Sequence, residues 1–119
     1  MPRFNFYETF YLIRPDLSEE EASRVNERLK VSLSNHMGEI IRFEKWDERD
    51  LAYRIGDYTR GVYYLMVYRS QPSAAGEIEK NLRFLNTDVL RFMTLNISEE
   101  KALSGKGSSS NNSSNGEVQ

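Results

Sequence analysis

The chain has 119 residues, no cysteine and a formal net charge of −2 at neutral pH. That length fits one domain, and the lack of cysteine excludes disulfides, thiolate catalysis and cysteine-ligated zinc. The negative sum excludes strong long-range steering toward a polyanion, while a local basic patch still binds phosphate.

Met1-Pro2-Arg3-Phe4-Asn5 enters a strand pattern almost at once, leaving no room for a signal or transit peptide. No apolar run approaches the roughly eighteen residues of a membrane span. A cytoplasmic protein is expected. Phe4 to Ile13 alternates: Tyr7, Thr9, Tyr11 and Ile13 share one face, and Phe6, Glu8, Phe10 and Leu12 the other. Both faces are largely apolar, which predicts an interior strand. Arg14-Pro15-Asp16 ends it.

Ser18 is a helix N-cap, and Glu21 three residues on completes a capping box. Ala22, Val25, Leu29, Leu33 and Met37 recur at helical spacing, and Gly38 stands where a left-handed C-cap is expected. A second strand starts near Glu39, with Ile41 and Phe43 toward the core and Arg42 and Glu44 away. The pattern breaks near Asp47 and Glu48, where a bulge would let Leu51, Tyr53 and Ile55 resume the inward face. Gly56-Asp57-Tyr58-Thr59 is the tip of a long hairpin. The strand from Val62 to Tyr68 is apolar on both faces and should also be interior.

Pro72 opens a linker with Ser73 as the expected cap of a second helix striped by Ile78, Leu82 and Leu85. Asp88 to Ile97 is the last strand. The order strand, helix, strand, strand, helix, strand predicts an α+β, ferredoxin-like split βαβ sandwich. Its four-stranded antiparallel sheet carries both helices on one face and leaves the other open. The domain is expected over residues 1–97. Residues 98–119, almost all Ser, Asn and Gly from Ser104 to Gly116, are expected to be a flexible tail.

Chemistry for catalysis is sparse. The single histidine, His36, ends the first helix, where a surface role near the helix dipole accounts for it. Glu8 reads as a strand-face carboxylate paired with an arginine, with a general-base role as the alternative. There is no phosphate-binding loop, dinucleotide turn or nucleophile elbow. RNA recognition motifs share this topology and place aromatics on the central strands. Arg60-Gly61 and Tyr64 fit their third-strand pattern, whereas Val62 and Val67 do not. Sheet packing is the favoured account of Tyr63, Tyr64 and Tyr68. Trp46, Arg49, Tyr53 and Arg54 interleave cationic forks with aromatic rings, a combination suited to phosphates and bases. These residues alone leave RNA binding, protein binding and a purely structural role open.

Tyr7-Glu8 followed seven residues on by Pro15 forms one motif. A second runs from Gly38 through Ile40 or Ile41, Glu44, Trp46, Arg49 and Leu51-Ala52-Tyr53 to Ile55. Tyr63-Tyr64-Leu65-Met66 and Val89-Leu90-Arg91 with Met93 complete the set. In these motifs, over about residues 4 to 97, the chain resembles bacterial small-subunit ribosomal protein six. The resemblance implies the fold derived above. It also implies binding of the central domain of small-subunit ribosomal RNA (16S-type) as a heterodimer with ribosomal protein eighteen, during assembly and with no catalysis or cofactor. Asp47 stands where that family usually has Gly, Glu48 and Asp50 occupy positions often basic there, and Arg54 replaces a frequent Pro.

With that resemblance, Arg49, Arg54 and Arg91 are the expected phosphate contacts, followed by Arg3, Arg42 and Arg60. Trp46 and Tyr53 are expected to pack the hairpin or shape the partner surface, and Ser98 to Leu103 to offer a partner contact. The alternative is a dimeric ferredoxin-like enzyme or ligand-binding domain with a pocket over the open face, lined by Phe6, Glu8 and Phe10.

Overall fold

In the computed structural model, which describes residues 3–104, alternation of large apolar side chains builds a sheet apolar on both sides. Its elements are β1 (Asn5–Ile13), α1 (Glu19–Asn35), β2 (Glu39–Ile55), β3 (Tyr58–Ser70), α2 (Pro72–Phe84), β4 (Val89–Ile97) and α3 (Glu99–Leu103). The strands form one antiparallel sheet in the order β2-β3-β1-β4. The two most apolar strands, β1 and β3, are central, as their double-sided patterns require.

On one face, Tyr7, Tyr11 and Ile13 of β1 join Tyr64, Met66 and Tyr68 of β3. They pack against Val25, Leu29 and Leu33 of α1 and Ala74, Ile78 and Leu82 of α2. Each fully buried aliphatic side chain contributes about 1.5–3 kcal/mol. Polar groups within this layer are paired: the Thr9 hydroxyl lies 2.9 Å from both Tyr68 Oη and Thr94 Oγ1. Burial pushes the Tyr68 phenol up to about 12.

The capping box forms, with Glu21 N–H donating to Ser18 Oγ at 3.1 Å and Ser18 N–H to Glu21 Oε1 at 2.9 Å. The other end of α1 corrects the sequence expectation. Met37, at φ 62°, takes the left-handed position, and Gly38 follows it. Gly38 N–H donates to the Leu33 carbonyl at 2.8 Å and Met37 N–H to Ser34 at 3.0 Å, closing a Schellman end. Gly38 is needed for space, because a Cβ there would lie 2.3 Å from Leu33 Cδ1. The second helix likewise starts earlier than expected: Gln71 is its N-cap, without a side-chain cap bond, and Pro72 occupies the first turn.

The face expected to be open is partly covered. Ser98 Oγ accepts from Lys101 N–H at 3.1 Å and caps α3. That helix buries Ala102 beside Leu65 and Val67, with Phe6, Phe10, Ile41, Trp46 and Ile97 around them. The expected flexible tail therefore begins with an ordered helical turn. The rest of that tail, residues 105–119, lies outside the described residues. Glu8 is wholly buried on this same face, in register with Val67 and Leu95. Ile41 also belongs here and not with Phe43, because the register shifts between Ile40 and Arg42. A bulge of one residue turns side chains to the other face.

Candidate functional site

The β2-β3 hairpin positions the expected residues. Its tip is a two-residue turn, Gly56-Asp57, closed by the Ile55–Tyr58 pair, with Gly56 at φ 58°. A positive φ at the first central position is the form of a type II′ turn, which glycine adopts without strain. Register shifts between Lys45 and Glu48 and between Asp50 and Ile55 disrupt the ladder and sharpen its twist. The outer half of the hairpin consequently meets the far edge of the sheet: Arg91 Nη1 on β4 donates to Tyr53 Oη at 3.0 Å, and the guanidinium lies 5.2 Å from the Tyr53 ring centroid. Tyr53 is thus 63% exposed and stacked on an arginine, not turned inward as alternation suggested.

An open groove of about 630 Å³ lies across the sheet, lined by Phe10, Leu12, Trp46, Tyr63, Arg91 and Met93 among others. Its breadth depends on Gly61, because a Cβ there would lie 2.4 Å from Leu12 Cδ1. Trp46 is held from two sides. Its Nε1–H donates to Glu44 Oε1 at 3.1 Å, while Arg42 Nε donates to Glu44 Oε2 at 2.7 Å. The Phe10 ring meets the Trp46 ring edge-on at 5.5 Å, and the Arg49 guanidinium lies 5.5 Å from the indole centroid. Such contacts fix ring orientation while leaving the cation its hydrogen-bond donors.

The arginines divide by their partners. Among the described residues, Arg3, Arg49, Arg54 and Arg91 are exposed and form no ion pair. Arg60 is held by Glu48, at 2.6 Å, and by Asp50. Its hydrogen bond to Glu48 and the charge of Asp50 raise its pKa. Glu48 and Asp50 alternate with Arg49 along β2, whose register partner is Gly61. Two of the acidic substitutions noted in the sequence, Glu48 and Asp50, are therefore paired with Arg60, whose single charge offsets one of their two. Arg42 is placed differently again. Its side chain is only 17% exposed, and its terminal amino groups are buried. Its visible work is to orient Glu44, and through it Trp46. Ser98 caps α3, and Leu103, 60% exposed, projects beyond the buried Ala102.

Sequence reasoning named Phe10, with Phe6 and Glu8, only for the alternative pocket, and missed Leu12, Tyr63 and Met93 as groove residues. Leu12 read as interior strand, and Tyr63 read as packing. Among the described residues, no group of three or more His, Asp or Glu could hold a metal ion, and no helix is long and apolar enough to cross a membrane.

Comparison with known proteins gives a consistent picture. The model of the family Ribosomal protein S6 matches residues 6–96. Small ribosomal subunit protein bS6 of Caulobacter sp. (strain K31) is 39% identical over 94 residues, covering 79% of this chain and 74% of its own. The bS6 protein of Desulforamulus reducens is 31% identical over 93 residues, covering 78% of this chain and 97% of its own. The crystal structure of 30S ribosomal protein S6 from Thermotoga maritima matches with a TM-score of 0.72 at 26% identity, over 80% of this chain and 89% of that one.

Proposed function

The chain belongs to the ribosomal protein S6 family, and from that premise we propose that it binds small-subunit ribosomal RNA together with ribosomal protein eighteen during subunit assembly. Its relatives are small-subunit ribosomal proteins, not enzymes, and their place of work is the ribosome in the bacterial cytoplasm. The observation that carries the proposal is the set of exposed arginines, Arg49, Arg54 and Arg91, on and opposite the hairpin and outside any ion pair among the described residues.

The mechanism is scaffolding. A sheet stiffened by two packed faces holds planar cationic forks where phosphate oxygens can meet them bidentately. No cofactor enters this account. Arg3, just before β1, stands at the other end of the sheet, where Asn5 pairs with Ser70, and meets phosphate apart from that set. Arg42 acts through Glu44 on Trp46, and Arg60 lessens the repulsion of phosphate by Glu48 and Asp50. Tyr53, Ser98 and Leu103 form the side offered to the partner protein, while Trp46 packs the hairpin against Phe10 and Glu44. Residues 1–97 carry the binding fold, and the segment after them extends the partner contact.

The net charge of −2 sets the expected behaviour. The chain alone binds RNA weakly, and the pair binds tightly and with strong salt dependence, because the partner supplies positive charge. Filter binding of a central-domain ribosomal RNA fragment, with and without ribosomal protein eighteen, tests this. Equal affinity in both cases overturns the partnership.

A further inference from the structure

We propose that the groove across the sheet is a pocket for one unpaired nucleobase of a single-stranded RNA segment, stacked against Trp46, with the adjoining phosphates held by Arg49 and Arg91. This deepens the ribosomal-RNA reading and rests on it. The groove floor comes from β1 and β3, the two interior strands, whose ladders run on both sides. Their N–H and C=O groups are consumed by the sheet, so an extended peptide finds no strand edge to pair with there. What the groove offers is aromatic surface, from Trp46, Tyr63 and Phe10, and cations at its margins. Arg49 already lies 5.5 Å from the Trp46 ring, and Arg91 lines the groove from β4. Neither is neutralised by a carboxylate among the described residues. Glu44 fixes the indole orientation at 3.1 Å, so the stacking surface is set before a ligand arrives. Met93, 52% exposed, is an apolar contact with no role in either core layer. Flat rings with flanking positive forks match a base with its phosphates.

Trp46 is the sole tryptophan of the chain, so its fluorescence reports this groove alone. The full-length chain is titrated at low salt with a single-stranded oligoadenylate and with an abasic ribose-phosphate strand of equal length. The oligoadenylate is expected to quench Trp46 saturably and to bind at least tenfold more tightly than the abasic strand. Met93→Glu, at an exposed position, is expected to weaken oligoadenylate binding about tenfold while leaving the melting temperature nearly unchanged. Equal binding of both strands means phosphate contact only and overturns the pocket. So does a Trp46 response to ribosomal protein eighteen without any response to RNA, which would assign the groove to the partner protein. No response at all overturns it too. Failure of the underlying reading shows elsewhere, as loss of ribosomal-RNA binding by the protein pair.

Discussion

Gly61→Ala should destabilise the protein and narrow the groove at once. A Cβ at residue 61 lies 2.4 Å from Leu12 Cδ1, 3.0 Å from Leu12 Cγ and 3.1 Å from the Ile13 carbonyl oxygen. Leu12 is 1% exposed and has little room to retreat except into the groove it lines. Overpacking of this kind costs about 1–3 kcal/mol. Replacing glycine within a strand returns about 0.5–1 kcal/mol, because the unfolded chain loses freedom. The net is a loss of about 1 kcal/mol, or a melting temperature lower by about 4–8 °C for a domain of this size. Thermal and urea unfolding followed by circular dichroism measures it. The mechanism has a second signature. In a Leu12→Ala background the added methyl fills vacated space, so the double variant should be more stable than the sum of the single effects by at least about 0.5 kcal/mol. Additive losses, or a Gly61→Ala protein as stable as the parent, refute the steric argument.

Met37→Gly should raise stability by about 0.5–1 kcal/mol, since Met37 is exposed and sits at φ 62° where glycine carries no steric strain; an unchanged or lower urea midpoint contradicts this. Glu21 is held below its ordinary value by the hydrogen bond from the Ser18 backbone, so its folded pKa is lower than its unfolded one. Its stabilisation is complete above the ordinary carboxylate range and is lost as pH falls through the folded value. Glu21→Gln should therefore flatten the acid limb of the stability curve below about pH 5, and an unaltered limb counts against the capping box. Arg49→Ala should lower the affinity of the protein pair for the RNA fragment by about 1–3 kcal/mol. Arg60→Ala should act instead by uncovering Glu48 and Asp50, so its effect should largely vanish in a Glu48→Gln, Asp50→Asn background. A full Arg60 loss persisting in that background would identify it as a direct contact.

The sheet order was legible because β1 and β3 are apolar on both faces, a pattern that water at an edge does not favour. The start of α1 was legible because Ser18 and Glu21 form a purely local motif. Its end was not. Gly38 looked like the left-handed residue, but packing against Leu33 fixed glycine one position later and left Met37 to take the strained dihedral. Side-chain facing along β2 failed for a related reason. The irregularity expected near Asp47 and Glu48 is present, but an unforeseen bulge at Ile41 shifts the count by one and turns Ile41 to the other face. Ile41 joins the α3 side, and Tyr53, within the irregular stretch between Asp50 and Ile55, lies exposed on Arg91. The short α3 helix escaped notice because its single buried residue, Ala102, gives no periodicity to read. The pairing of Glu48 and Asp50 with Arg60 depends on cross-strand register, which composition and spacing do not contain.

Salt dependence of RNA binding by the protein pair bears most directly on the account, because each phosphate contact releases counterions in a countable way. The logarithm of the binding constant is measured against the logarithm of salt concentration for the parent, Arg49→Gln, Arg91→Gln and the double variant. The slope should become shallower by about 0.7–0.9 for each arginine removed. A slope identical in the parent and the double variant would contradict the assignment of these two exposed forks to phosphate.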